Sequence, residues 1–275
     1  MASVTSQPKR TVSTLSMSRF GGRLGRLGLE LAAPILILAV WWFASANTTS
    51  LYFPSLASIL DSFKETWLFS RFGSDAVPSL IHLAEGFLVA TVLGVAGGLV
   101  LGLVPVLAEA LAPVLEFLRA LPGVALVPAA LLFLGIGPTM QVVVIVSAAV
   151  WPILLNTIDG VRSVDPMVND VARSYRIRWS DRLLHLVLPA ASPQIVAGMR
   201  TALSIGIIMI VFSELVGSTN GIGYQLLQAQ RGFAIPEMWA SMILLGIVGY
   251  LLNVAFRGFE NLVLGWHQHM RKKAS

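Results

Sequence analysis

Six apolar runs, each of a length that can cross a bilayer, constrain this chain more than any other feature. A helix needs about 20 mostly apolar residues to traverse the hydrocarbon core. The sequence offers Leu29–Ala46, Leu80–Val106, Leu118–Ile136, Met140–Ile158, Ile195–Val216 and Met238–Trp266. Hydrophobic residues make up 56% of the 275 positions and charged residues 12%, and mean hydropathy is +0.78. A water-soluble domain ordinarily carries about 25% charged residues. So few charges cannot cover one, and the expected class is an all-α polytopic membrane protein with about six transmembrane helices. Pro122 and Pro128 interrupt the third run. Either that helix is broken, with protein or a water-filled cavity satisfying the freed backbone, or Pro122 marks a later helix start.

Basic residues set an expected orientation. Lys9, Arg10, Arg19, Arg23 and Arg26 precede the first run; Arg162, Arg173, Arg176, Arg178 and Arg182 lie between the fourth and fifth; Arg271, Lys272 and Lys273 end the chain. The alternate connections are poor in Lys and Arg. Positive-inside counting therefore predicts a multi-pass protein of a plasma (bacterial inner) membrane with both termini cytoplasmic. The expected organisation is a basic leader over 1–28, a first span over 29–46 and an extracytoplasmic loop over 47–78. The main membrane-spanning domain follows over 79–264, with a cytoplasmic loop at 159–193, and then a basic tail over 265–275. Ala44-Ser45-Ala46 resembles a signal-peptidase site, but the long leader and the Trp41–Trp42 pair favour an uncleaved anchor. The net charge of +5 flanks apolar runs instead of forming one patch, so no nucleic-acid partner is expected and membrane lipid is.

Gly86, Ala90, Gly94, Gly98 and Gly102 place a small residue at every fourth position of the second run, and Gly198, Ala202 and Gly206 repeat the device in the fifth. Such ridges let a second backbone approach closely. They serve either packing within the bundle or a subunit interface. His82 and Glu85 sit near one end of the second run, and Glu214 near the end of the fifth, before Gly217-Ser-Thr-Asn-Gly221-Ile-Gly223-Tyr224. Glu214 has two readings: a carboxylate at headgroup level, or an acceptor for backbone donors of the following loop that, with Gly221 and Gly223, shapes an outer gate.

No catalytic constellation stands out. The four lysines follow no glycine, so the chain lacks a P-loop. The histidines are scattered, no cysteine is present, and no serine lies in a GxSxG elbow, so neither a metal site nor a bound cofactor is expected.

The basic loop carries the most specific signal. Asp165-Pro166 reads as N-cap and first helical residue. Val168, Val171 and Ala172 follow on one predicted face, and a second short helix is expected from Ser180 to a stop at Leu188-Pro189. Asp170-Val-Ala-Arg-Ser-Tyr-Arg176 and Val187-Leu-Pro-Ala-Ala-Ser-Pro-Gln-Ile195-Val-Ala-Gly198 resemble the EAA loop of ABC-importer permeases. Asp170, Val171 and Ala172 stand at the E-A-A positions; Leu188, Pro189, Pro193, Ile195 and Gly198 match the second half. Leu121-Pro122-Gly with Gly135-Ile-Gly137, and Glu214-Leu with Gly221-Ile-Gly223-Tyr224, are similar to the nitrate/sulfonate/taurine branch. Arg176 stands where that family usually has a glycine, a position expected to need φ > 0.

The resemblance implies a type I importer permease (MetI-like) fold. It also implies a partner pair of ATPase subunits that bind ATP-Mg, a second permease copy or a different permease, and an extracytoplasmic solute-binding protein. Asp165–Arg176 would be the coupling helix, with Val168, Val171, Ala172 and Tyr175 filling a groove and Arg173, Arg176 and Arg178 pairing with acidic rims. The cargo would be a small solute such as nitrate, a sulfonate, taurine or a pyrimidine precursor. A secondary transporter or a membrane-embedded enzyme is the alternative, although the two halves show no evident repeat.

Overall fold

The computed structural model describes residues 23–46, 48 and 50–274, and all of the secondary structure among them is helical. The basic residues of the leader up to Arg19, and the side chains of the tail beyond Gly265, lie outside what is described. Helix α1 is Arg23–Ser45, α2 is Leu56–Phe63, and two π-helical turns lead into α3, Val77–Leu103. Then come α4 (Pro105–Ala120), a 3-10 turn, α5 (Val127–Leu134) and α6 (Pro138–Arg162). The chain continues through α7 (Pro166–Ser174), α8 (Trp179–Arg182), a π-helical turn, α9 (Leu188–Gly217), α10 (Ile222–Arg231) and α11 (Ile235–Ala274).

Among the described residues, four helical stretches are long and apolar enough to cross a membrane: Phe72–Leu103, Pro138–Arg162, Trp179–Gly217 and Ile235–Gly265. The bent pair α4 and α5 makes a fifth if taken as one span, and Ile35–Ser45 is a shorter apolar helix within α1.

At the centre lies α6, packed along α3 on one side and α9 on the other. The α3 glycines make the first contact possible. A Cβ at Gly86 would lie 2.7 Å from Ile145, at Gly94 2.8 Å from Ile153, and at Gly102 2.7 Å from Val161; at Gly98 it would strike Thr157. The partner rises with each step, so α3 and α6 run parallel. On the other side Gly198 would meet the Pro152 carbonyl at 2.7 Å, while Gly160 faces Ala191 and Gln194, so α9 runs antiparallel to α6. Beside these close approaches Ala90, Ile145, Ala149, Ile153 and Ala202 form a fully buried core. Burying such side chains is worth roughly 1.5–3 kcal/mol each against water, but lipid is equally apolar, so close packing must supply the stability.

A parallel α3–α6 pair requires the chain between them to return to its starting side. That return breaks at Pro122, as one reading of the sequence allowed, but it begins at Pro105 and not at 118 as expected. It is α4 followed, after an 82° bend at Leu121–Pro122, by the 3-10 turn and α5. The second run also stops early, at Leu103, because a residue before proline avoids the α region, and Val104 adopts φ −120, ψ 84. Three further expectations need correction. The 47–78 stretch is largely helical: Leu56, Ile59, Phe63 and Trp67 form a stripe at helical spacing, which packs α2 on α11 and buries Trp67 with Ala240 and Leu244. The segment after Gly217 contains α10. Leu188-Pro189 does not stop a helix, since helical structure runs unbroken from Trp179 to Gly217. The π turn absorbs Pro189 at the start of α9, and the Pro189 carbonyl that Pro193 cannot serve accepts from Ser192 Oγ at 2.8 Å.

Candidate functional site

One end of the bundle closes on a cluster of buried polar groups. The last turns of α9 carry Glu214 into the interior, where it is 2% exposed. The chain leaves α9 at Gly217, turns, and enters α10 so that the first amides of α10 point back at that carboxyl. A helix start presents unpaired N–H groups and favours an acidic acceptor. Glu214 Oε2 accepts from the Gly223 amide at 2.8 Å, and Oε1 accepts from the Ser79 hydroxyl. Ser79 Oγ accepts in turn from the Ile222 amide at 3.0 Å. Asp75, one turn earlier and 3% exposed, accepts from the Gly221 amide at 3.0 Å and from Gln225 Nε2 at 3.1 Å. Three consecutive amides are thus each matched to a side-chain acceptor, drawn from α9 and from the entry to α3. Gln141 of α6 ties the same turn by donating to Ser218 Oγ at 3.0 Å.

Glycine is required where the carboxyl enters. Gly221 has φ +118, and a Cβ there would fall on the Glu214 carboxyl. At Gly223 a Cβ would lie 2.7 Å from the Val211 carbonyl. We call this arrangement the clasp.

The opposite end carries α7. Asp165 caps it, its Oδ1 accepting from the Met167 amide at 2.8 Å, with Pro166 at the first helical position. The helix ends in a Schellman motif: the Ile177 amide donates to the Ala172 carbonyl at 3.1 Å and the Arg176 amide to that of Arg173 at 2.9 Å. The residue that must then be left-handed is Arg176, at φ 53. The turn is made with its usual geometry, and Arg176 bears a strain of about 1 kcal/mol that glycine would not. Ala172 is buried, whereas Val168, Val171 and Tyr175 are exposed, as is Met167. The predicted apolar face is therefore split: Ala172 is buried, and the rest stand exposed among the described residues.

The comparisons with known proteins decide the family. Residues 86–264 match the family described as "Binding-protein-dependent transport system inner membrane component". The chain belongs to this family. The permease is 33% identical over 248 residues to the bicarbonate transport system permease protein CmpB of Synechococcus elongatus, covering 86% of this chain and 89% of that one. It is 30% identical over 242 residues to the nitrate import permease protein NrtB of a Synechocystis species, covering 85% and 88%. Its fold is similar to that of a chain in an inward-facing MetNI methionine ABC transporter, with TM-score 0.58 and 19% identity over 69% of this chain and 94% of that one. The permease is thus a multi-pass membrane component of an ABC importer of the nitrate/sulfonate/taurine branch, a class that works with ATPase and binding-protein partners.

Of the residues singled out in the sequence, the structure brings Glu214, Gly221 and Gly223 into one cluster and sets Gly86, Gly94, Gly98, Gly102 and Gly198 against α6. Asp165, Asp170, Val171, Arg173 and Arg178 lie exposed on or beside α7, while Leu188 and Pro189 belong to the continuous helix entering α9. Glu85 is exposed, and His82 is partly buried with Nδ1 lacking a partner. Sequence reasoning missed Asp75, Ser79 and Gln225. A signal existed for the first two: Asp75 and Ser79 are four apart around Pro78, one helical turn, so both face the same way.

Proposed function

We propose that this permease forms half of the pathway of an ATP-driven importer for a small anion, and that α7 is the lever by which partner ATPases move it. The supporting observation is the form of α7. It is capped at both ends, lies between the two helices that dominate the bundle, and offers Met167, Val168, Val171 and Tyr175 outward beside Arg173, Arg176 and Arg178. A stiff segment with an apolar crest and a basic rim suits a groove with acidic edges on a second protein.

On this reading the 159–193 loop and both termini face the cytoplasm, and ATP-Mg binds in the ATPase. A second permease, identical or different, completes the pathway. Residues 79–264 act as the transport domain between the basic ends 1–28 and 265–275. The binding protein delivers cargo to the opposite face, formed by residues 50–78 and 217–237, where Glu214, Gly221 and Gly223 hold the outer gate. An anion is favoured because the named relatives carry bicarbonate and nitrate. Specificity is expected to reside largely in the binding protein.

The chain has no cysteine, so one introduced at Val168 or Tyr175 is a unique reporter. In the assembled complex, a thiol crosslinker at these sites should capture the nucleotide-hydrolysing subunit, with a yield that changes on adding ATP. Capture of lipid alone, or free labelling by water-soluble maleimide with and without the ATPase, would refute the lever.

A further inference from the structure

Two adjoining cavities open beside α7, and the lever reading does not explain either. One, of about 340 Å³, is a polar chamber lined by Arg162 of α6, Asp170 and Arg173 of α7 and Arg182 of α8. The other, of about 520 Å³, is a mostly apolar trough along α3, lined by Leu99, Val100 and Val104, with Trp179 at its edge. Leu103, Val187, Arg173 and Arg182 line both, so the chamber and the trough are immediate neighbours.

We infer that this pair of cavities binds an anionic phospholipid, its phosphate in the arginine chamber and an acyl chain along α3. Setting aside Arg182, which has an interaction of its own, Arg162 and Arg173 outnumber the one carboxylate that lines the chamber, Asp170, which favours a net negative headgroup over a zwitterionic one. The trough separates a lipid from a free anion, which would have no use for an apolar wall. From Ala96 to Val104 it runs about 12 Å along the helix axis. That is close to the roughly 15 Å hydrocarbon depth of one leaflet. Trp179, 66% exposed, lines the trough together with Arg173 and Arg182, a composition that suits the membrane interface. The inference takes its leaflet, the cytoplasmic one, from the orientation proposed above; the site itself needs only a membrane boundary at the ends of α3 and α6.

The test uses the full-length permease with its ATPase in nanodiscs containing phosphatidylglycerol or phosphatidylcholine with brominated acyl chains. The signal is the tryptophan quenching lost on Trp179→Phe. Phosphatidylglycerol should quench at about ten-fold lower mole fraction than phosphatidylcholine. Arg173→Gln should remove that preference, Arg173→Lys should keep most of it, and millimolar inorganic phosphate should not relieve it. Equal quenching by the two lipids, or an unchanged preference in Arg173→Gln, overturns the inference. So does relief by phosphate, which would mark a small-anion site, or the absence of any Trp179 contribution, which would mean that another segment fills the trough. Retained ATPase is scored on the same sample. In the unmutated permease, absent preference with the ATPase bound refutes the lipid site alone, and intact preference without the ATPase refutes the lever alone.

Discussion

The clasp and the lever sit at opposite ends of the same helices and are held in opposite ways. At the clasp, Asp75, Ser79 and Glu214 are almost wholly buried, and each has hydrogen-bond partners more than a hundred residues away or across a helix break. At the lever, the capping hydrogen bonds of α7 are local, lying within or just beyond its own ends, and among the described residues Ala172 is its one apolar residue turned fully inward. Buried polar groups with matched partners define one geometry, because each unmatched group costs about 1–3 kcal/mol. A short helix with local caps stays internally stiff while its placement is left to whatever covers its exposed face. The clasp therefore specifies position, and the lever specifies shape.

The largest test removes the centre of the clasp. Glu214→Ala leaves the Gly223 amide without its acceptor and the Ser79 hydroxyl with only the Asp75 carbonyl at 3.1 Å, and should lower stability by about 3 kcal/mol. The expected readout is a fall in the melting temperature of the detergent-solubilised permease together with lost uptake; an unchanged melt would show that the clasp does not organise its end. Gly221→Ala should follow at about 2 kcal/mol, since it adds backbone strain at φ +118 to a Cβ placed on the Glu214 carboxyl. Hydrogen exchange at the start of α10 should accelerate in this variant, and unaltered protection there would argue that α10 is held by other contacts.

Asp75→Asn keeps the shape but weakens the acceptor for Gly221 and Gln225, for an expected loss of about 1–2 kcal/mol. If it proves as severe as Glu214→Ala, the two carboxyls act as one unit. At the lever, Asp165→Ala removes a cap worth about 1 kcal/mol. Its effect should appear as reduced retention of the ATPase on purification, with the global melt nearly unmoved; the reverse pattern would erase the contrast between the two ends. The smallest effect is a gain. Arg176→Gly relieves about 1 kcal/mol of left-handed strain. Uptake should persist and the turn should protect its amides slightly better, whereas complete loss of uptake would assign the guanidinium an indispensable contact.

Length and apolarity of the runs, read from sequence alone, were enough to place the chain in a membrane as a helical bundle, because a bilayer admits few other structures. Local chemistry was equally legible where caps are decided by neighbours in the chain: Asp165-Pro166 announced the start of α7, whereas the positive φ at Arg176 was expected only from the family resemblance, which puts a glycine there. What tertiary structure alone decided is where distant segments meet. The sequence marked the break at Pro122, but that α3 and α6 pack parallel, with α4 and α5 as the return between them, is a relation that no window of sequence contains. Asp75 and Ser79 look like ordinary polar residues until the α9–α10 turn brings three free amides to them across the fold. The burial of Ala172 apart from Val168 and Val171 is of the same kind: helical spacing puts all three on one face, and only the position of α7 against the bundle determines which of them is covered.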